Sequence, residues 1–359
     1  MSTHLSDEPI PKPSLGLGSG KNAMATVAKL TVAIALVAYL VWRGDIAWKP
    51  LRASLGEWQF TVPALLALGL TPLGQLWRWQ SLLRASRVRL PHREVFSYLM
   101  VAKFFNMALP GYIGGDVIRG LYIARRASAT SPPGSSAVAS MGASAVVPSI
   151  LFDRIAGLLP LFALCLAGTL VAPADSLPSH LVVPARTLSA TGLLAALCTF
   201  LLANRLPAAP SFLLRCSQRL RMDHIFTAFY KGTHLYVRDW GLIRNVLGIS
   251  LLSQALILLG FVLYGQALGL RLPLSSYLVL VPLGLLVTAI PIAPGGLGVG
   301  QVAFLALFQT AGTSQGANLI TLYMASQALI NLTGAFLYPF FRVRNVLPAS
   351  SGLAHVERQ

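Results

Sequence analysis

Five charged side chains, Lys103, Asp116, Arg119, Asp153 and Arg154, lie within or beside long apolar stretches. Charge in such surroundings is costly, so these groups are expected to face a protein interior or a wet cavity and to pair with one another. Asp116 and Arg119 stand one helical turn apart and can pair directly. Asp153 and Arg154 are neighbours that point to different faces, so at least one of them needs a partner elsewhere. A cross-pair, Asp116 with Arg154 or Asp153 with Arg119, would tie the two segments together. Two readings stay open: a static buried ion pair, or arginines that contact an anionic group, with Arg119 and Arg154 as the contacts and Asp116 orienting Arg119 and capping a short helix. Asn106, Gln301, Gln327 and Asn331 are weaker polar candidates. The six histidines are scattered in loops and tails without metal-ligand spacing. There is no phosphate-cradling Walker sequence. No catalytic constellation, metal or cofactor is therefore expected, and the chain does not read as an enzyme.

Two glycine-rich sequences flank this set. The first is Pro110-Gly111-Tyr112-Ile113-Gly114-Gly115-Asp116. The second is Pro294-Gly295-Gly296-Leu297-Gly298-Val299-Gly300-Gln301. Both follow the order Pro-Gly-x-aliphatic-Gly and then reach a polar residue that opens a helix. Glycines there permit positive φ and close backbone approach. The helix that follows each tip would aim free N–H groups and its positive dipole end into the tip. An anion such as a phosphate fits there. The bland alternative is that small residues only let helices pack closely.

The elements that must hold these residues follow from composition. The chain has 359 residues, of which 55% are hydrophobic and 11% charged. Soluble domains carry about 25% charged residues. A soluble protein is thus excluded, and so are collagen-like, disulfide-framework and disordered classes. The reading is an all-α polytopic membrane protein. Its net charge of +17 reflects Lys and Arg gathered in cytoplasmic loops, and no nucleic acid is implied. Residues 1–23 read as a disordered cytoplasmic tail and 346–359 as another, around a single membrane domain at 24–345. Full spans are expected at about 24–42, 60–77, 136–172, 187–203, 245–268 and 319–341. Within 136–172, Pro148 suggests a break after a short lead-in helix.

Two apolar stretches do not fit this alternation. Residues 95–118 are bounded by basic clusters on both sides. The arms of the break at Pro110-Gly111, residues 95–109 and 114–124, would reach about 22 Å and about 16 Å as helix, too short to cross a core of about 30 Å. They read as a re-entrant hairpin from the cytoplasmic face, with its irregular tip enclosed by protein. Loop charge then makes 275–312 a second hairpin from the opposite face. Six full spans with two opposed hairpins suggest an inverted repeat whose broken segments meet near the midplane. Residues 205–244 carry seven basic residues and apolar positions at helical spacing. They read either as an amphipathic helix on anionic lipid or as a solvated loop helix.

Three motifs in this order carry a family resemblance: Asn106-x-x-Leu-Pro-Gly-x-Ile-Gly-Gly-Asp-x-x-Arg119, Asp153-Arg-x-x-Gly-Leu158, and Pro291-x-x-Pro-Gly-Gly-Leu-Gly-Val-Gly300. Over about residues 25–345 the chain resembles the flippase-like membrane domain of lysylphosphatidylglycerol synthase. The resemblance implies movement of a lipid, or a lipid-linked headgroup, between leaflets of the bacterial inner membrane. It also implies anionic membrane lipids as partners. Two positions depart from the family's habit: Gln301 stands where an acidic residue is common, and Ala293 where a serine is frequent. No counterpart of the synthase's soluble aminoacyl-transferase domain is expected in the residues after Arg344, so the resemblance is not taken to imply the synthase activity.

Other readings compete with lipid translocation. One is a transporter for a polyprenyl-phosphate sugar, a hopanoid-type lipid or a small solute. Another is an accessory subunit that partners a lipid-modifying enzyme, docking through 211–240; self-association is a further option. On the translocase reading, Arg119→Ala and Gly115→Leu are each expected to abolish transport and leave the fold largely intact.

Overall fold

The computed structural model describes residues 48–86, 88–108, 115–116, 118–120, 122–123, 136–173, 177–205, 236, 238–290 and 296–344, with isolated positions at 31–42, 215 and 218. Within these, the side chains of 48, 50, 108, 136–148, 202–203 and 338–344 are not described. Every described element is helical: α1 (Trp48–Gly56), α2 (Trp58–Ala85), α3 (His92–Ala108), α4 (Ser136–Val171), α5 (Ser179–Arg205), α6 (Trp240–Ala267), α7 (Leu274–Thr288), α8 (Val299–Gln309) and α9 (Gly316–Arg344). Five of them, α2, α4, α5, α6 and α9, contain stretches long and apolar enough to cross a membrane. The span expected at 24–42 and the basic segment 205–244 fall largely outside the described residues.

The five membrane-length helices are apolar over most of their surface, so hydrophobicity alone gives neither of two facing helices an orientation. Small residues do. Between α2 and α6, Gly74 lies against Ser253, Gly260 lies against Leu68, and Arg78 reaches Ser250. These three contacts make the pair antiparallel, because α2 positions fall as α6 positions rise. Gly168 of α4 lies against Leu278 and Val279 of α7, and Gly334 of α9 against the Met100 carbonyl of α3. Close backbone approach of this kind replaces the hydrophobic drive that helices lack in lipid.

Proline positions are absorbed rather than obeyed. α4 runs unbroken for 36 residues through position 148, where the sequence suggests an interruption. A proline removes one ladder hydrogen bond, and neighbouring helices can stabilise a helix across that gap.

The exposed apolar stripe of α2 is Trp58, Val62, Leu66, Leu70, Leu73 and Trp77. It repeats every three to four residues, the phase of one helical face. The two tryptophans bounding it are about 28 Å apart along the axis, close to the hydrocarbon thickness. Aromatic residues favour the two interfaces, so this stripe marks the depth of the apolar zone.

Two short hairpins start from opposite ends of the bundle. α3 starts beside the C-terminal end of α2, where Arg84 meets His92. It runs inward, and the chain then returns along it: Gly115 lies against the Ala102 carbonyl, and Tyr122 stacks on Tyr98 at 5.2 Å between ring centroids. α7 starts beside the C-terminal end of α6, which the antiparallel pairing puts at the other end. α8 returns along α7, with Gly300 against Thr288 and Phe304 against Gly284. The core centres on this second hairpin, where Phe304 stacks between Phe261 at 5.3 Å and Phe308 at 5.8 Å.

Candidate functional site

Asp153 is the hub of the charged residues. Its position on α4 faces α2 and the returning arm of the first hairpin. Arg78 Nε donates to Asp153 Oδ1 at 2.6 Å. From the hairpin, Arg119 Nη1 and Nη2 both donate to Asp153 Oδ2 at 3.3 Å. One carboxylate thus binds two guanidiniums, one per oxygen. Asp153 and Arg119 are 6% and 3% exposed, so this pairing is taken out of water and fully committed.

A second carboxylate closes the set. Arg119 Nε lies 3.0 Å from Asp116 Oδ1, one helical turn away, although off the hydrogen-bond direction. Arg154 Nε donates to Asp116 Oδ2 at 2.8 Å. Both cross-pairs that the sequence offered as alternatives are present together, and they join the first hairpin to α4. Trp79 completes the cradle: the Arg119 guanidinium carbon lies 4.6 Å from its ring centroid, within cation–π reach. The Trp79 indole N–H donates to Ser149 Oγ at 3.4 Å.

The tip is built to bring these groups together. Gly115 N–H donates to Asn106 Oδ1 at 2.9 Å, so Asn106 anchors the start of the returning arm to α3. A Cβ at Gly115 would sit 2.0 Å from the Ala102 carbonyl oxygen. Only glycine fits there, and a leucine would push the arm away. Arg119 is similarly embedded. On this geometry Arg119→Ala and Gly115→Leu are expected to disturb the fold as well as transport, whereas the sequence alone led to the expectation of a largely intact fold.

Lys103 and Arg154 behave differently from Arg119. Lys103 is half-buried on α3, and Arg78, Arg119, Arg154 and Asp153 are the charges that act on its ammonium. Among the described residues it forms no ion pair or hydrogen bond. The Arg154 side chain is 41% exposed. The cluster holds four cations and two carboxylates, an excess of two positive charges; Arg78, Arg119 and Asp153 are buried, Lys103 and Asp116 are partly buried, and Arg154 is exposed.

Three residues of this site do not stand out in the sequence. Arg78 reads there as one more basic residue in a loop-side cluster. Ser250 accepts from Arg78 Nη1 at 3.2 Å. Gln254, one turn further along α6, donates to the Gly157 carbonyl at 3.2 Å, and its Oε1 is buried with no partner among the described residues. The placing of Ser250 and Gln254 one helical turn apart in the apolar middle of α6 is the signal that could have found them.

Gln301 is not part of the charged cluster by its described contacts. It is 3% exposed. Its Oε1 accepts from Gly298 N–H at 2.7 Å, and its amide nitrogen meets Met324 Sδ at 3.5 Å. The side chain caps its own helix. Gly296 and Gly298 carry positive φ, 71° and 80°, which confirms the need for glycine there. Gly300 lies against Met324 and Thr288. Pro110, Gly111, Gly114, Pro294 and Gly295 fall outside the described residues. Among the described residues, no group of His, Cys, Asp and Glu is placed to hold a metal.

The comparisons with known proteins agree with the architecture. No curated protein and no solved structure matches the chain. One family model, described as the lysylphosphatidylglycerol synthase TM region, matches residues 27–333. That interval takes in both hairpins, α4 with Asp153 and Arg154, and α2 with Arg78. The chain therefore belongs to the family of the lysylphosphatidylglycerol synthase transmembrane region.

Proposed function

We propose that the chain is a lipid translocase that carries an anionic lipid, or a lipid-linked anionic headgroup, between leaflets of a bacterial inner membrane without hydrolysing ATP itself. The observation that carries this reading is the cluster's excess of two positive charges: Lys103 stands outside its ion pairs among the described residues, and Arg154, bound to Asp116, is partly exposed. An ion-pair network that served structure alone would balance its charges, because each buried unpaired ion is expensive. Here the cluster carries more positive charge than its carboxylates balance, and a phosphate can meet that excess.

The same reading makes the hairpins re-entrant, from opposite faces, in an inverted repeat with six full spans. The Arg-rich end of α2 and α3 becomes cytoplasmic by the positive-inside rule. The charged cluster then lies near the cytoplasmic edge of the apolar zone, one residue beyond Trp77, rather than at the midplane. The second tip carries no charge at its described positions, so it would guide apolar chains or move as a hinge while the first tip holds the headgroup.

The test is leaflet exchange in liposomes with fluorescent phosphatidylglycerol and phosphatidylcholine. Expected are exchange above that of protein-free liposomes, preference for the anionic lipid, and a loss of about tenfold or more in Lys103→Gln. Arg154→Gln should show a smaller loss. Protein-free rates throughout, or wild-type exchange in Lys103→Gln, would overturn the reading.

A further inference from the structure

A second cationic site lies outside the Asp153 network, at the corner where α2 passes into α3. A cleft of about 360 Å³ opens there, walled by Trp77, Gln80 and Arg84 of α2, His92 of α3 and Asn245 of α6. A second recess, about 560 Å³, shares Arg84 and adds Arg89, Leu90 and Pro91. Arg84 Nη2 and His92 Nε2 are 3.2 Å apart. The guanidinium can only donate, so the imidazole must accept. Two groups of basic character thus face one another with no carboxylate between them. Among the described residues neither forms an ion pair. Glu94, the acidic residue of the first turn of α3, does not line either recess.

Gln80 gives the independent observation. It is 3% exposed, its amide nitrogen donates to the Leu90 carbonyl at 3.0 Å, and its Oε1 has no partner among the described residues. A buried amide oxygen left without a donor is rare in folded proteins. It suits a ligand that brings a hydroxyl or ammonium donor beside its anion. Trp77, at the end of the apolar stripe, fixes the depth: the cleft opens at headgroup level.

We propose that this cleft binds a phosphate ester carrying a neighbouring hydroxyl or ammonium group, with the Arg84 guanidinium and the remaining ring N–H of His92 on the phosphate and Gln80 Oε1 on the donor. The chemistry is shared by a phospholipid headgroup and by a free phosphate ester. The site is separate from Lys103 and Arg154 and does not depend on the translocase reading. Arg84 and His92 are exposed, so replacing them should not unfold the protein.

The experiment compares wild type, Arg84→Gln/His92→Gln and Lys103→Gln, full length and in neutral detergent. Native mass spectrometry counts retained phosphatidylglycerol, and calorimetry follows glycerol 3-phosphate. Expected is loss of one bound phosphatidylglycerol, or about tenfold weaker glycerol 3-phosphate binding, in the double variant but not in Lys103→Gln. Loss confined to the lipid identifies a headgroup as the occupant; loss confined to glycerol 3-phosphate identifies a soluble ester. Unchanged lipid count and unchanged calorimetry in the double variant would overturn the site, whatever Lys103→Gln does to transport.

Discussion

Arg78 and Asp153, 75 residues apart, meet through a 2.6 Å hydrogen bond, and this bond sets the position of the first hairpin. Asp153 has a second oxygen, and that oxygen takes Arg119. α2, α4 and the returning arm of the hairpin are thereby joined through one carboxylate. Arg78 cannot be released without also loosening Arg119.

Arg78→Met should consequently behave as the breaking of a buried ion pair. It leaves Asp153 with one cation and Ser250 without its donor. The expected loss is about 3–5 kcal/mol, read as a lowered unfolding midpoint in detergent. Arg78→Lys should recover only part of it, because an ammonium lacks the fixed fork that reaches Asp153 and Ser250 together. Wild-type stability in Arg78→Met would show that Arg119 alone holds Asp153.

Gly115→Ala should be strongly destabilising, since the added methyl meets the Ala102 carbonyl oxygen at 2.0 Å. Gly248→Ala is the matched control. It lies on α6 with nothing within 4 Å of the added carbon, and alanine is the better helix former by about 1 kcal/mol. The two substitutions should move the unfolding midpoint in opposite directions. A shift of the same sign in both would contradict the close approach at Gly115.

Tyr236 supplies a pH-dependent contribution from outside the apolar zone. It is fully buried, shares a 2.7 Å hydrogen bond with Ser86 and packs on Phe152. Burial pushes its hydroxyl up from 10.0 to about 12, against a smaller opposing effect of the Ser86 bond. The folded state thus favours the neutral phenol. Its contribution is complete below pH 10.0 and is lost as pH climbs towards about 12. Tyr236→Phe should cost about 1 kcal/mol at neutral pH and should flatten the alkaline end of the stability profile. An unchanged alkaline slope in Tyr236→Phe would count against this assignment.

Much of the site is legible in the sequence because charge inside apolar segments is rare and must pair. Asp116, Arg119, Asp153 and Arg154 satisfy that rule, and both of their cross-pairs form. Arg78 escapes it, since five basic residues and a histidine between 78 and 93 read together as loop charge. What separates Arg78 is helical phase. The lipid-facing stripe ends at Trp77, and the next residue turns about 100° away from lipid, into the bundle. That phase is known only when the lipid face is known. The Arg119–Trp79 contact is hidden for a different reason: it joins segments 40 positions apart, and no local pattern signals it.

Gln301→Leu tests whether the second tip depends on a helix cap rather than on a ligand. The Gln301 oxygen accepts the Gly298 N–H, and leucine would leave that buried donor unpaired. The expected cost is about 1–3 kcal/mol. Gln301→Glu keeps an acceptor at a helix N-terminus, where negative charge is favoured, and should retain more stability than Gln301→Leu. Equal stability of the two variants would rule out the cap as the reason for glutamine.

Lys103 separates structure from transport most sharply, because the two should change in opposite directions. Its ammonium sits among Arg78, Arg119 and Arg154 without an ion pair among the described residues. Partial burial and three like charges oppose it, with the Asp153 carboxylate acting the other way. Lys103→Met keeps a long flexible side chain and removes that opposition. The unfolding midpoint of the lipid-free protein should therefore rise, by an amount equivalent to about 1–2 kcal/mol. Exchange of anionic lipid should fall by about tenfold or more, with zwitterionic lipid less affected. Added phosphatidylglycerol should stabilise wild type more than Lys103→Met, since a ligand stabilises only the state that binds it. A fall in both stability and exchange would make Lys103 a structural residue and remove the observation on which the translocase reading depends.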